Sequence, residues 1–556
     1  MTTDYLAKMD SECPHNYYPR PQFKRDSFLC LNGSWDFGIG DNSEDYPYRI
    51  TVPFCPESPA SGINRDVLGE ALRYKRTFTL PDGFNKGTVL LHFGAVDQIC
   101  RVYLNGVRVG AHEGGYLPFS IDISDAVKDG ENTLSVIAFD DLDHKYPWGK
   151  QKKDRGGMWY TPVSGIWQTV WIESTKKNAI ESIDITPNDT GATVSVVGGI
   201  GNFTLTLNDS KEVFSSTGSV ITVTPETVRK WTPEDPYLYH FTLRCDNDEI
   251  ESYFAIRTVD VREVNGVNRI CLNGEPYVFN GLLDQGYYPD GIYMPATVNG
   301  YIDDIKLAKS MGFNMLRKHI KIEPMMFYYL CDSMGIAVFQ DMVNNGNYSF
   351  LRDTALPTVG LQRINDAGLN RDAETREIFL RTMDETVKHL YNCPSIVYYT
   401  VFNEGWGQFR ADDAYERIKN VDSTRIIDTT SGWFRRTKSD VDSRHIYFKP
   451  LKVKGCDGSP LVISEFGGYS HRVADHCFGP KNYGYKTFTT AEELENAIVS
   501  LYENEVRPLV EGGASAFVYT QVSDVENETN GFVTYDRRVI KVNVERINKV
   551  MKSLTK

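Results

Sequence analysis

The hydrophobic periodicity of the chain changes near Asn265. Before that point, short runs rich in Val, Tyr, Phe and Leu are separated by turn signals, without a helix-period segment of useful length. After it, short apolar runs alternate with long amphipathic segments, which is typical of repeated β-α units around a parallel sheet. With 556 residues the chain is too long for one hydrophobic core and long enough for three domains.

The β-rich half predicts two sandwiches. Residues 1–177 contain an Asn105-Gly106 pair between two apolar runs, the strongest short hairpin signal. The other predicted strands of this unit are Lys75–Leu80, Thr88–Phe93, Cys100–Leu104, Thr133–Phe139 and Trp167–Ile172. Residues 178–264 carry period-two strands over a span that suits a seven-strand sandwich, closed by "SYFAIRTVDVREV". We therefore expect a jelly roll followed by an immunoglobulin-like domain.

Residues 265–556 predict a (β/α)₈ barrel. Apolar stripes at helical spacing, such as Ile302, Ile305, Ala308 and Met311, predict the helices between the strands. The eight predicted strands are Tyr277–Leu283, Phe313–Arg317, Ile336–Gln340, Ile396–Asn403, Arg425–Thr429, His445–Phe448, Leu461–Glu465 and Ala516–Gln521. Eight strands alternating with helices over this length match the barrel pattern.

Two carboxylates stand at the ends of predicted barrel strands. "SIVYYTVFNEGWG" is an apolar strand that ends in Asn403-Glu404, and "PLVISEFGG" ends in Glu465. Barrel enzymes place their catalytic groups at these strand ends. A Glu that closes an apolar strand is costly unless it is used or paired, so two of them favour a function. Two facing carboxylates are the requirement of glycoside hydrolysis, and their separation distinguishes retention from inversion.

Motifs along nearly the whole chain resemble glycoside hydrolase family two, the group of β-galactosidases, β-glucuronidases and β-mannosidases. "LNGSWDF" (31–37), "YKRTFTLP" (74–81) and "GIWQTVWIE" (165–173) resemble its jelly roll. "FAIRTVDV" (254–261) resembles the end of its middle sandwich. "GFNMLRKH", "VFNEGWG", "VISEFGG" and "YTQVSDVENETNGFVTYDR" (519–537) resemble its barrel.

The resemblance implies a role for four residues. Glu404 is implied as acid/base, Glu465 as nucleophile and Asn403 as a ligand of the sugar 2-hydroxyl. Arg317 matches the arginine that steadies the nucleophile carboxylate, and an adjacent cation keeps the pKa of such a carboxyl low. Glu404 needs a raised pKa to hold its proton. No cofactor and no metal are implied, because no cluster of acids and His forces a metal site.

Further substrate-binding candidates lie near the predicted strand ends. Each has a structural alternative: a turn residue for Asp284, a core histidine for His445, and packing for the tryptophans. His319 stands in Lys318-His319-Ile320-Lys321, where many relatives have Ser-His-Tyr-Pro, so its register differs. The candidates are Asp284, Gln285, Asp341, His319, Trp406, Trp433, His445, Tyr447, Tyr485, Lys318 and Lys321, with Tyr483 as a further suggestion.

The preferred sugar is a neutral hexose, with β-galactoside favoured. β-Glucuronidases of the family carry Asn-x-Lys before a "GIFTRDR"-like stretch, whereas "GFVTYDR" here follows Glu528-Thr529-Asn530. The cation for a glucuronide carboxylate is therefore absent from this position. Arg317, Lys318 and Lys321 keep a β-hexuronidase acting on galacturonides as the alternative. A catalytically inactive carbohydrate-binding protein is the alternative of another class.

Charge and cysteine usage limit the partners. A net charge of −14 argues against nucleic acid or an anionic membrane as partner. No apolar run reaches the roughly 18 residues of a membrane helix. The ten scattered cysteines and the lack of a visible signal peptide predict a reduced, cytoplasmic enzyme. A homo-oligomer is compatible with the sequence.

Overall fold

The structure, a computed structural model, describes residues 1–40, 45–358, 361, 365–453 and 458–554. It contains two β-sandwiches followed by a barrel, which confirms the predicted fold class. None of the described helices is long and apolar enough to cross a membrane. The nine described cysteines are free thiols.

The first sandwich packs a six-stranded sheet against a four-stranded sheet. The six strands, in spatial order, are Tyr48–Val52, Gly33–Ile39, Ala71–Thr79, Glu131–Phe139, Ile99–Leu104 and Val107–Glu113. The four strands are Leu29–Cys30, Val170–Thr175, Thr88–Phe93 and Phe119–Asp122. Asn105 and Gly106 have positive φ and join two strands of the larger sheet, as the predicted hairpin requires. A short pair, Val96–Asp97 with Gly165–Ile166, lies beside these sheets.

The second sandwich has seven strands. One sheet contains Ile180–Pro187, Ala192–Gly198 and Val220–Val223, and the other Val213–Ser216, Phe203–Leu207, Tyr239–Arg244 and Glu249–Phe254. The sequence "TVDVREV" does not close this sandwich: Val259–Val264 pairs instead with Val267–Leu272, which also pairs with Glu275–Pro276. A two-residue turn at Asn265-Gly266, both with positive φ, makes that hairpin favourable. The domain limits at residues 177 and 264 stay predictions.

The barrel has eight parallel strands, each overlapping its predicted position. They are β1 Phe279–Asp284, β2 Met315–Lys318, β3 Ala337–Asp341, β4 Ile396–Asn403, β5 Ile426–Ser431, β6 Asp442–Ile446, β7 Leu461–Gly467 and β8 Ala516–Thr520. Consecutive strands are hydrogen-bonded from β1 to β5, from β6 to β7, from β7 to β8, and from β8 back to β1. Every residue of β1 through β4 is buried, because both faces of a parallel sheet are covered.

The α-helices lie outside the strands. They are α1 Asn299–Ser310, α2 Met325–Met334, α3 Leu356–Thr358, α4 Ala373–Leu390, α5 Ala411–Val421, α6 Ala491–Leu501, α7 Arg507–Glu511 and α8 Val544–Lys552. The capping box formed by Thr490 and Glu493 fixes the start of α6, and the Asp372 side chain caps α4. The apolar faces of these helices form one core with the outward side chains of the strands.

Several contacts attach the sandwiches to the barrel, among them one from Arg257 and one from Trp148. Arg257, 1% exposed, donates hydrogen bonds to the backbone oxygens of Pro394 and Ile396. On the side of the strand ends, Trp148 from the first sandwich donates its Nε1–H to the backbone oxygen of Gly346 at 3.0 Å. The indoles of Trp148 and Trp159 are stacked, and both contact Trp406 of the barrel edge to face. The second contact brings a loop of the first sandwich over the barrel mouth.

Candidate active site

A narrow pocket opens at the C-terminal ends of the barrel strands. Strand ends and βα loops form most of it, as the architecture dictates, and the first sandwich supplies the remainder. The lining residues are Lys150, Met158, Leu283, Gln285, His319, Tyr348, Asn403, Glu404, Trp406, Tyr447, Glu465, Tyr485, Thr520 and Glu528.

Glu404 and Glu465 face each other in this pocket. Glu404 follows β4 with a φ of +54°, a left-handed turn that directs the chain out of the strand. Glu465 lies within β7 and is 5% exposed. Carboxylate oxygens of the two residues and a ring nitrogen of His445 all lie within 4.8 Å of one another. The two carboxyl groups are thus close enough to act on one bond.

Glu465 is held as a carboxylate. The Arg317 Nη1 donates to its Oε1 at 3.1 Å, and the Tyr447 hydroxyl donates to its Oε2 at 2.7 Å. Burial by itself raises the pKa of this carboxyl, but electrostatic interactions with His445, Arg317 and His319 outweigh that effect and lower the pKa to about 2. The side chain is therefore ionised at neutral pH.

Glu404 has the opposite electrostatic balance. Burial raises its pKa above the ordinary value, and the nearby Glu465 charge adds to the increase. A hydrogen bond from His445 Nδ1 to Glu404 Oε1, 2.8 Å long, opposes the rise. The Trp433 indole donates to the backbone oxygen of Glu404 at 2.9 Å and so fixes the turn. Two carboxyl groups with pKa values pushed apart are the arrangement that separates an acid from a nucleophile.

Arg317 organises the base of the pocket. It is 1% exposed, and its Nε donates to Asp341 Oδ1 at 2.9 Å. Its Nη2 donates to Asn403 Oδ1 at 2.9 Å, which leaves the Asn403 amide N–H groups available to the pocket. Asp341 Oδ2 lies 2.7 Å from His319 Nδ1, so the His319 ring is fixed at the pocket wall.

Six of the substrate-binding candidates line the pocket: Gln285, His319, Asn403, Trp406, Tyr447 and Tyr485. The Tyr447 and Tyr485 rings stack at 3.7 Å between centroids, so Tyr485 supports the residue that contacts Glu465. Tyr483 lies 6.2 Å from the Tyr485 ring, centroid to centroid, and is not among the lining residues.

The structure does not bring Asp284, Lys318 and Lys321 into the pocket. Lys318 Nζ lies 2.7 Å from Asp284 Oδ2 and 2.8 Å from Glu323 Oε1. Lys321 Nζ lies 2.8 Å from the same Glu323 oxygen and donates to two backbone oxygens. All four side chains are buried, so their charges neutralise each other inside the fold.

Three other candidates act behind the pocket wall. Asp341 is paired with Arg317 and His319, and Trp433 contacts the backbone of Glu404. His445, 7% exposed, lies between the two glutamates and is absent from the lining residues. The structure thus places these three candidates behind the residues that line the pocket.

The sequence patterns missed Lys150, Met158, Tyr348 and Glu528. The segment that carries Lys150 packs tightly on the barrel, since a Cβ on Gly149 would lie 3.2 Å from the backbone oxygen of Ile320. Glu528 accepts hydrogen bonds from the Asn530 amide at 3.0 Å and from the Tyr160 hydroxyl. The basic run Lys150–Arg155 was the only local signal of the first sandwich's contribution.

Glu404, His445 and Glu465 are also spaced as metal ligands are. The Arg317 guanidinium already lies against Glu465, however, and its positive charge opposes a second cation at that carboxylate. The arrangement is better suited to acid–base chemistry than to metal binding.

Models of one protein family match both ends of this architecture. Residues 44–176 match "Glycosyl hydrolases family 2, sugar binding domain", and residues 263–512 match "Glycosyl hydrolases family 2, TIM barrel domain". The chain belongs to glycosyl hydrolases family 2, which confirms the resemblance seen in its motifs.

Individual relatives are distant. A β-galactosidase of Priestia megaterium is 23% identical over 90% of this chain and 54% of its own length. Eight curated β-galactosidases that match are covered over 35–54% of their length. Among solved structures, a β-glucuronidase of an uncultured Clostridium species has a TM-score of 0.75 at 18% identity, with 96% of this chain and 99% of that chain covered. A β-galacturonidase of Eisenbergiella tayi, bound to galacturonate, has a TM-score of 0.71 at 19% identity, covering 97% and 99%. The structural likenesses establish the fold.

Proposed function

We propose that the protein is a retaining exo-β-glycosidase that hydrolyses a terminal β-linked sugar. The observation that carries the proposal is the close approach of the Glu404 and Glu465 carboxylates, within 4.8 Å at their nearest oxygens. Retaining glycosidases hold their carboxyl groups about 5–5.5 Å apart, whereas inverting enzymes leave a wider gap for water. The narrow pocket, covered by a loop of the first sandwich, supports cleavage at a chain end.

The proposed roles follow from the two environments. Glu465, ionised and supported by Arg317 and Tyr447, attacks the anomeric carbon. Glu404 donates its proton to the leaving oxygen and then takes a proton from the water that hydrolyses the glycosyl-enzyme. The Asn403 amide donates to the sugar 2-hydroxyl, and Trp406 offers an aromatic face to the ring.

A β-galactoside is the favoured substrate. Lys318 and Lys321 are neutralised by buried acids, and Glu528 presents a carboxylate to the pocket. A carboxylate accepts hydrogen bonds from sugar hydroxyls and repels a uronate. The curated relatives with β-galactosidase names are consistent with this assignment.

A β-galacturonide is the second candidate, and Lys150 is the observation that favours it. Lys150 lines the pocket and has no salt bridge among the described residues. Its Nζ lies 5.9 Å from the centre of the Tyr160 ring. A uronate carboxylate beside this ammonium group would form an ion pair. Arg317, Lys318 and Lys321 do not offer such a pair, because each is already paired with a buried acid.

A panel of p-nitrophenyl β-glycosides tests these assignments. We expect release from the galactoside, loss of that release in Glu465→Gln, and an initial product of retained configuration by proton NMR. Release only from a uronide, lost in Lys150→Met but kept in the exposed Lys153→Met, would favour the second candidate. Absence of release from every glycoside, with sugar binding retained, would favour the inactive carbohydrate-binding alternative. Homo-oligomer formation and a cytoplasmic location are further parts of the proposal, which light scattering on the purified protein and fractionation of cells would test.

A further inference from the structure

His445 occupies a position between the two catalytic carboxylates. It belongs to β6, next to β7, and its Nδ1 lies 2.8 Å from Glu404 Oε1 and 3.5 Å from Glu465 Oε2. Its side chain is fully buried beneath the pocket. The ring thus contacts the proposed acid/base without contacting the space that a sugar occupies.

The two ring nitrogens have different partners. His445 Nε2 lies 3.0 Å from the Ser431 hydroxyl and 3.4 Å from Arg317 Nη1, which donates to the Ser464 backbone oxygen and to Glu465 Oε1. Nδ1 lies beside carboxylate oxygens of Glu404 and Glu465, and because the ionised Glu465 can only accept, we place a ring proton on Nδ1. The Nδ1–H therefore points to Glu404 Oε1.

The backbone around β5 is shaped to admit this ring. Gly432 follows β5 with a φ of +93°, and a Cβ built there would lie 2.7 Å from His445 Cγ. Any side chain at 432 would displace the imidazole. The tight fit fixes the ring plane and with it the direction of the Nδ1–H.

We propose that His445 is a positioning residue that keeps Glu404 Oε1 as a hydrogen-bond acceptor, so that Oε2 carries the catalytic proton. This inference rests on the proposed glycosidase function and specifies how its acid/base is oriented. A carboxyl group has two oxygens, and only one can face the leaving group. Because the Nδ1–H of His445 donates to Oε1, a proton on Oε1, which would not face the leaving group, is disfavoured.

The proton balance is complete without a further reactant. In the first step a Glu465 oxygen bonds to the anomeric carbon, the glycosidic bond breaks with its electron pair on oxygen, and the proton moves from Glu404 Oε2 to that oxygen. In the second step Glu404 Oε2 takes a proton from water, whose oxygen bonds to the anomeric carbon as the Glu465 ester bond breaks. His445 keeps its own proton in both steps.

The hydrogen bond also affects the titration of Glu404. Burial raises the pKa of Glu404, and the contact with His445 lowers it, so removal of the ring raises the pKa further. The charged and titratable groups around the pair are Glu465, Arg317, Lys150, Asp428, Tyr348, Tyr447, Tyr483 and Tyr485. All of these remain in a His445 variant. Movement of the alkaline limb therefore reports the lost contact with Glu404, whereas movement of the acidic limb reports the lost interaction of His445 with Glu465.

Two substitutions of His445 separate positioning from packing. His445→Leu fills the space without a donor, whereas His445→Asn can return an N–H to the position of Nδ1. We expect the alkaline limb of kcat/KM to move to higher pH in His445→Leu, with about a tenfold loss of rate at neutral pH. The loss should grow as the leaving group becomes a poorer one, because proton donation then matters more. His445→Asn should restore most of the rate and return the alkaline limb of kcat/KM toward its wild-type pH.

The matched control is Tyr447→Phe, which removes a contact to Glu465 and none to Glu404. Its rate should fall by a similar factor for good and poor leaving groups, without movement of the alkaline limb. If His445→Leu lowers all rates equally with an unmoved limb, or His445→Asn restores nothing, the inference is wrong. If the wild type releases no sugar, or Glu465→Gln keeps its activity, the proposed function itself fails.

Discussion

Two glutamates in one pocket acquire different chemistry from their neighbours. Glu465 is buried and Glu404 is half-buried, and desolvation alone raises the pKa of each carboxyl. Glu465 contacts a guanidinium and a phenol, while the imidazole of His445 is the one side-chain donor to Glu404 among the residues that the structure describes. The pKa values of the two carboxyls are thereby moved in opposite directions, as the proposed nucleophile and acid/base require, without any difference in residue type. This division predicts a pH profile.

Activity should require ionised Glu465 and protonated Glu404. The pKa of Glu465 lies near 2, well below its ordinary value, so activity should persist as the pH falls below 4.5 until the fold or Glu465 is affected. The pKa of Glu404 is raised above 4.5, so kcat/KM should fall on the alkaline side as Glu404 loses its proton. Initial rates on the p-nitrophenyl substrate across pH measure both limbs. Loss of activity near pH 4.5 on the acidic side, in protein that remains folded, would contradict the assignment of Glu465.

Replacement of Arg317 by Met should weaken the nucleophile. Its loss leaves four acceptors, on Asp341, Asn403, Glu465 and the Ser464 backbone, without this donor. We expect kcat to fall about 10²–10³-fold and the acidic limb to move to higher pH, because the pKa of Glu465 rises without the cation. The pH profile separates this effect from general destabilisation, which circular dichroism melting measures. Arg317→Lys, which keeps the charge but not the fork of donors, should show a smaller shift of the limb.

The barrel strands could be predicted from their regular apolar patterns, whereas the side-chain contacts between elements could not. Each barrel strand was recognised because a buried parallel strand is a short apolar run between helices, and Glu404 and Glu465 followed from their strand ends. Lys318 and Lys321 were candidate substrate contacts, but periodicity does not reveal that both contact the buried carboxylate of Glu323. His445 was predicted at the start of β6 but lies one residue before its end, which brings its ring to the level of Glu404 and Glu465.

Gly281 in β1 tests how tightly the barrel strands approach. A Cβ on Gly281 would lie 2.2 Å from the backbone oxygen of Met315 in the adjacent β2, closer than real side chains allow. We expect Gly281→Ala to push β1 from β2 and lower the free energy of unfolding by about 1–3 kcal/mol. Thermal or urea unfolding measures the loss. The matched control is Gly218→Ala on an exposed turn of the second sandwich, where the nearest atom is 3.9 Å away; it should unfold as the wild type does.

Residues of two domains, the first sandwich and the barrel, form the pocket. Met158 and Lys150 come from the first sandwich, while the proposed catalytic carboxylates come from the barrel. No pattern within either domain reports this combination, because it depends on how Trp148 and Trp159 pack against Trp406. Loss of the docking contact should therefore change catalysis as well as stability.

Trp148→Ala tests that coupling. Trp148 is 2% exposed, and it contacts the barrel through its hydrogen bond to Gly346 and its ring contact with Trp406. Its removal should cost about 3–5 kcal/mol of unfolding free energy. It should also raise KM and lower kcat/KM, because the loop that carries Lys150 and Met158 is no longer held over the pocket. If the alanine variant does not fold, Trp148→Phe replaces it. We expect Trp148→Phe to change KM, kcat/KM and the unfolding free energy in the same direction by smaller amounts.

Trp35→Ala is the matched control. Trp35 is fully buried in the first sandwich, and its indole donates to the backbone oxygen of Leu31 within the same domain. The alanine variant should lose a similar unfolding free energy, yet keep the wild-type kcat/KM per folded molecule at a temperature where both proteins are folded. Equal catalytic losses in the two variants would mean that activity follows stability alone. A loss confined to Trp148→Ala would mean that the first sandwich completes the pocket through this contact.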